Sequence, residues 1–139
     1  MITKKNLNLI TISIVLISFV SFTWAATEGE MITLDPMKKH KGASGTAVIS
    51  GNSLNIEARG LKPDSVYTVW FVNKKPKKKE AGAGTAPYMF KTNVSGDGSY
   101  SAPLAELPFG KWQMIMIVLH PNGDPKDMKR MVGALKAKL

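Results

Sequence analysis

The side chains of this chain able to hold a metal or move a proton are few. There is no cysteine, and there are two histidines, His40 and His120, and eight methionines. Soft thioethers and neutral imidazoles together suit copper, above all Cu(I). Met37 and His40 stand three apart in a loop-like stretch, and His120 closes a segment that carries Met114 and Met116. Met37, His40 and His120 are therefore the candidate metal ligands, with copper as the metal. The same residues have a plainer reading. Methionine fills gaps in cores, Met114 and Met116 sit among Trp112, Ile115 and Val118, and His120 precedes Pro121 at a strand end. A blue-copper site needs a cysteine, and a copper–zinc site of the dismutase kind needs more than two histidines.

Motifs for catalysis are missing. No G-x-S-x-G turn supports a triad built from His120 and Asp124. The ten acidic residues are scattered, and no P-loop, dinucleotide fingerprint or H-E-x-x-H occurs. The expectation is a protein that is not an enzyme and needs no cofactor, with copper as the alternative.

Charge carries more information. The chain has 19 basic and 10 acidic residues, a formal net charge of +9. The basic residues cluster at Lys38, Lys39 and Lys41, at Lys126, Lys129 and Arg130, and most densely at Lys74, Lys75, Lys77, Lys78 and Lys79. Such clusters attract anionic partners in a salt-dependent way, or simply keep a surface solvated. The five lysines from 74 to 79 are the candidate partner-binding residues. Trp70, Phe71 and Trp112 belong to apolar strands rather than to the basic loops, so a stacking platform for nucleic acid is lacking. The expected partner is an anionic envelope component or an acidic protein.

The N-terminus sets the expected compartment. Lys4 and Lys5 precede an apolar run from Leu9 to Phe22, small residues follow at Ala25 and Ala26, and no acid occurs before Glu28. This is the layout of a secretory signal. The apolar run of 14 residues is short of the 20 or so that a spanning helix needs. Residues 1–25 are thus expected to be removed from an exported protein, periplasmic or secreted. Retention of the segment, with a domain tethered to the membrane, is the alternative. Without Lys4 and Lys5, 17 basic residues face 10 acidic ones, about +7. Residues 26–139 form one domain by length: an N-terminal strand and basic loop over 26–44, then the core over 45–139.

Strands are expected throughout. Met31 to Leu34 is one. Gly45–Ser50 and Ser53–Arg59 flank Gly51-Asn52, a two-residue hairpin turn. In the second arm Leu54, Ile56 and Ala58 face one way and polar residues the other. Val66–Asn73 and Lys111–His120 are apolar on both faces, which predicts central strands. Lys74–Thr85 reads as one long, low-complexity loop, Tyr88–Thr92 as a short strand, and Tyr100 as the start of another. Near the C-terminus Asp124-Pro125 predicts one helical turn to about Lys129, then a strand from about Met131. A continuous basic amphipathic helix is the alternative. Together these features predict an all-β fold: an antiparallel, immunoglobulin-like β-sandwich of about 7–8 strands following the N-terminal signal peptide.

The run G-T-A-V-I-S-G-N-S-L-N-I-E-A-R-G-L-K-P-D-S-V-Y-T-V-W-F-V, Gly45 to Val72, joins with G-D-G-S-Y, W-Q-M-I-M-I-V, H-P-N-G-D-P and the G-A-L ending. This pattern resembles the extracytoplasmic β-sandwich domain at the C-terminus of anti-sigma-K-type factors and related small exported domains. The resemblance implies the fold and an extracytoplasmic location. Its distinctive elements, G-L-x-P and Y-x-V-W, are a turn and a central strand, and it implies no site residues. The lysine run and A-G-A-G lie outside the pattern.

Overall fold

The computed structural model describes residues 29–139. The expected signal peptide, residues 1–25, lies outside the described residues. Nine antiparallel strands follow in order: β1 (Glu30–Pro36), β2 (Ser44–Ser50), β3 (Ser53–Arg59), β4 (Val66–Asn73), β5 (Lys79–Gly82), β6 (Met89–Lys91), β7 (Gly98–Pro103), β8 (Met114–His120) and β9 (Val132–Lys138). A single 3-10 turn, Lys38–His40, follows β1.

The ladder is continuous in the order β5-β4-β8-β9-β1-β2-β3-β7, with β6 also on β4. Strand β1 makes this one curled sheet. Its Glu30–Leu34 half pairs with β2, and Asp35 and Pro36 pair with β9. The chain thus passes from a first layer (β1, β2, β3, β7) to a second (β9, β8, β4, with β5 and β6 sharing the far edge of β4). The pairings of β3 with β7, and of β8 with β4 and β9, match those of strands B–E and C–F–G in an immunoglobulin-like sandwich.

Side-chain alternation fills the space between the layers. The first layer contributes Leu34, Ala47, Ile49, Leu54, Ile56, Tyr100 and Ala102. The second contributes Tyr67, Val69, Phe71, Ile115, Ile117, Leu119 and Leu135. The hairpin turn falls at Gly51-Asn52, with Ser50 opposite Ser53 and Gly51 at φ +56°. That positive angle at the first turn residue is the one a II′ hairpin reserves for glycine. Tyr67 closes the β3–β4 connection: its hydroxyl accepts the Lys62 amide at 2.9 Å, a tyrosine-corner geometry.

Three expectations need correction. Lys74–Thr85 is not all loop, because Lys79–Gly82 pairs with Trp70–Asn73 as β5. The strand expected from Lys111 begins only at Met114, and the A-G-A-G stretch is closely packed. A Cβ on Gly82 would stand 2.1 Å from the Tyr88 ring, and one on Gly84 2.3 Å from Ala102 Cβ. Between them Ala83 is fully buried, donates its amide to Val69 O at 3.0 Å and accepts the Tyr100 hydroxyl at 2.5 Å. Small residues are required there because the chain presses against the core. At the C-terminus neither a helical turn nor a helix forms. Pro125 and Lys126 make a hydrogen-bonded turn, with Asp124 Oδ1 accepting the Lys126 amide at 2.9 Å. Strand β9 then pairs with β8 through a bulge opposite Ile117 and Val118, which leaves Ala134 and Leu135 both buried.

Candidate docking site

The lysine run occupies the β4–β5 connection and, at Lys79, the first residue of β5. Lys74, Lys75, Lys77, Lys78 and Lys79 are all exposed. Among the described residues, Lys78 alone of the five makes an ion pair, to Glu80 at 3.1 Å. The start of this connection is not free chain. Asn73 Nδ2 donates to Lys111 O at 3.0 Å, and Asn73 Oδ1 accepts the Gln113 amide at 2.7 Å. Gln113 reciprocates: its Oε1 accepts the amides of Lys74 (2.7 Å) and Lys75 (3.2 Å), and its Nε2 donates to Lys75 O at 2.6 Å. Two carboxamides thus lock the first two lysines to the start of β8.

The outer face of the second layer is unusual. An antiparallel sheet with one face toward water carries polar residues on that face, as β3 does with Ser53, Asn55, Glu57 and Arg59. Strands β4 and β8 instead carry Val66, Thr68, Trp70 and Val72 beside Met114, Met116, Val118 and His120. A hollow of about 280 Å³ lies here, floored by Trp70, Val72, Met116 and Val118. Met37, Met131 and Gly133 close one side. Lys74, Lys78 and Glu80 rim the other. Met37 reaches in because Gly133 has no side chain: a Cβ there would be 2.6 Å from the Met37 sulfur.

Trp70 is held in place. Its Nε1 donates to Thr68 Oγ1 at 2.7 Å, and Tyr88 leans on it with ring centroids 5.6 Å apart. Thr68 Oγ1 lies 2.7 Å from His120 Nε2, and His120 Nδ1 lies 3.2 Å from Asp127 O. The proton order follows from chemistry. A carbonyl only accepts and an indole N–H only donates. His120 therefore donates from Nδ1 to Asp127, and Thr68 accepts from Trp70 and donates to Nε2. Both ring nitrogens are used, and His120 is 1% exposed.

His40 sits elsewhere. Its Nε2 lies 3.0 Å from the Tyr67 hydroxyl, and its buried Nδ1 has no hydrogen-bond partner of full geometry. Burial lowers its pKa below the ordinary histidine value, and the Gly133 backbone offsets part of that. Tyr67 and Thr68 are successive residues of β4, so their side chains point to opposite faces. The two histidines are consequently on opposite sides of the sheet. The structure does not bring Met37, His40 and His120 into one ligand set; Met37 stands with Met116 and Met131 instead. Among the described residues no three histidine, cysteine, aspartate or glutamate side chains form a group able to hold a metal ion.

The other basic groups do not line this hollow, although Lys38, Lys39 and Lys136 line an adjoining one that shares Met37, Met131 and Gly133 with it. Lys39, Lys41 and Lys62 border a separate, shallow hollow with His40. Among the described residues no helix is long and apolar enough to cross a membrane. Sequence reading found the lysine run but not the hollow beside it. The available signal was the two-faced apolar character of β4 and β8. Comparison with known proteins gave no matching family model, no matching curated protein and no matching solved structure.

Proposed function

We propose that this protein is an exported, non-catalytic binding module that docks on an anionic surface, an envelope component or an acidic protein, through Lys74, Lys75, Lys77, Lys78 and Lys79. The observation that carries the reading is the presentation of these lysines. All five are exposed on the β4–β5 hairpin, whose connection is clamped at its start by Asn73 and Gln113. With Glu80 as the one nearby acid, the hairpin keeps a net positive charge of about four, largely unspent on internal ion pairs. The signal-like N-terminus, and the resemblance to extracytoplasmic domains, support export.

The test is co-sedimentation with vesicles of phosphatidylglycerol in phosphatidylcholine. A lysine close to an anionic surface contributes about 1 kcal/mol. Exchanging all five for glutamine should therefore weaken binding by about 10²-fold or more. Raising salt from 0.1 to 1 M shortens the screening length from about 10 to about 3 Å and should release the wild-type protein. Binding that survives both changes would remove the reading. An acidic protein partner, captured from envelope extract, would be lost by the same five substitutions.

A further inference from the structure

We propose that the hollow beside the lysine loop takes the alkyl chain of a single-chain anionic amphiphile, a fatty acid or alkyl phosphate, with its head group on Lys74 and Lys78. The inference rests on the docking reading above and names the ligand class that the surface engages.

Several hollows combine apolar and basic residues, but among those described this one alone holds a tryptophan and borders the five-lysine run. Trp70, Val72, Met116 and Val118 floor the hollow, and two of the five lysines rim it. Val72 and Val118 are buried at its base, while Trp70 and Met116 stay half-buried and form its accessible apolar wall. The wall is preorganised: Trp70 is fixed by Thr68 and Tyr88, so little freedom is lost on binding. The methionine side is adaptable, because thioether side chains repack around chains of different shape. Met37 enters over Gly133, where any side chain would collide with it.

Size and shape select among anionic occupants. About 280 Å³ holds roughly nine waters' share of liquid volume and lies at the small end of ligand pockets. It fits one chain rather than two. A bilayer would instead be met by protruding apolar side chains. The exposed large apolar residues, Met31, Val94, Leu107 and Met128, do not line this hollow. Glu80 is the one carboxylate on the rim, and its pairing with Lys78 at 3.1 Å means that an arriving anion competes for that lysine.

The experiment titrates the full chain with octyl, decyl and dodecyl phosphate below their micelle-forming concentrations. Inorganic phosphate and decyl maltoside serve as head-only and charge-free probes. Affinity should rise by up to about fourfold per methylene and level off once the hollow is full. Decyl maltoside should bind at least tenfold more weakly than decyl phosphate. Glu80→Gln should tighten decyl phosphate, and Lys74→Gln should weaken it. A bromine-tagged decyl phosphate should quench tryptophan emission, and Trp70→Phe should abolish that quenching. Met116→Gln, at a half-buried position, should weaken the chain-dependent part alone.

Decyl phosphate binding no better than inorganic phosphate would overturn the inference, as would quenching that persists in Trp70→Phe. If vesicles are still bound in either case, the docking reading stands without it. Chain-dependent binding in a protein that ignores anionic vesicles would have the opposite meaning: the hollow's ligand class holds and the surface-docking reading falls.

Discussion

Thr68 holds two aromatic rings with one hydroxyl. It accepts from Trp70 and donates to His120, and all of this happens on a sheet face where a valine would otherwise serve. Thr68→Val removes both partners at once and leaves His120 Nε2 buried without one. A buried polar group left unsatisfied costs about 1–3 kcal/mol, and urea denaturation should read a loss of that size. A variant as stable as wild type would mean that the network contributes nothing. His40 gives a second residue-scale prediction. Its native pKa lies below the ordinary 6.5, so the unfolded chain binds more protons as pH falls through that value. Stability should hold above about pH 6.5 and decline below it. In His40→Gln the decline in urea midpoint between pH 7.5 and 5.5 should be shallower; an identical decline would contradict the assignment. From the sequence, Met37, His40 and His120 were legible as soft ligands. What was not legible was their separation, since that depends on Tyr67 and Thr68 capturing one histidine each on opposite faces of β4.

Among the elements, the β2–β3 hairpin and the central strands β4 and β8 were readable, because glycine at the turn and apolar alternation encode them locally. Strand β5 was not. Lysine, glycine and alanine are depleted in strands, and Lys79–Gly82 becomes one only by pairing with Trp70–Asn73. The tight fit that follows is testable at Gly84, which has φ +102° and would place a Cβ 2.3 Å from Ala102 Cβ. Backbone strain of about 1–2 kcal/mol and overpacking of about 1–3 kcal/mol should together make Gly84→Ala about 2–5 kcal/mol less stable in denaturant titration. A neutral outcome would mean that this segment is not pressed against the core. The connection before β5 has its own test. Gln113→Ala removes the acceptor of the Lys74 and Lys75 amides. Hydrogen exchange at those two positions should speed up while the β4–β8 ladder keeps its protection. Unchanged exchange at both would show that the clamp does not order the loop. At the C-terminus the strand expected from about Met131 forms as β9, but the helical turn before it does not, because Asp124 and Asp127 each accept the amide two residues on and hold the chain in successive turns.

At the scale of the whole molecule, β1 ties the two layers into one ladder by pairing with both β2 and β9. The described fold should therefore unfold as one unit rather than layer by layer, and without cysteine its stability should not respond to reductant. The sequence conveyed the all-β class and the basic character. It could not convey that one apolar sheet face stays partly open beside the densest lysine cluster, because that requires β4, β8 and the 121–131 connection in place together. The central claim is that location, not total charge, makes this surface a docking site. The most direct measurement compares two full-length variants of equal net charge on phosphatidylglycerol vesicles. One carries glutamine at Lys74, Lys75, Lys77, Lys78 and Lys79; the other carries it at Lys38, Lys39, Lys41, Lys126 and Lys129. The account predicts that the first loses binding by about 10²-fold or more while the second stays within a few-fold of wild type. Equal losses in the two would contradict it.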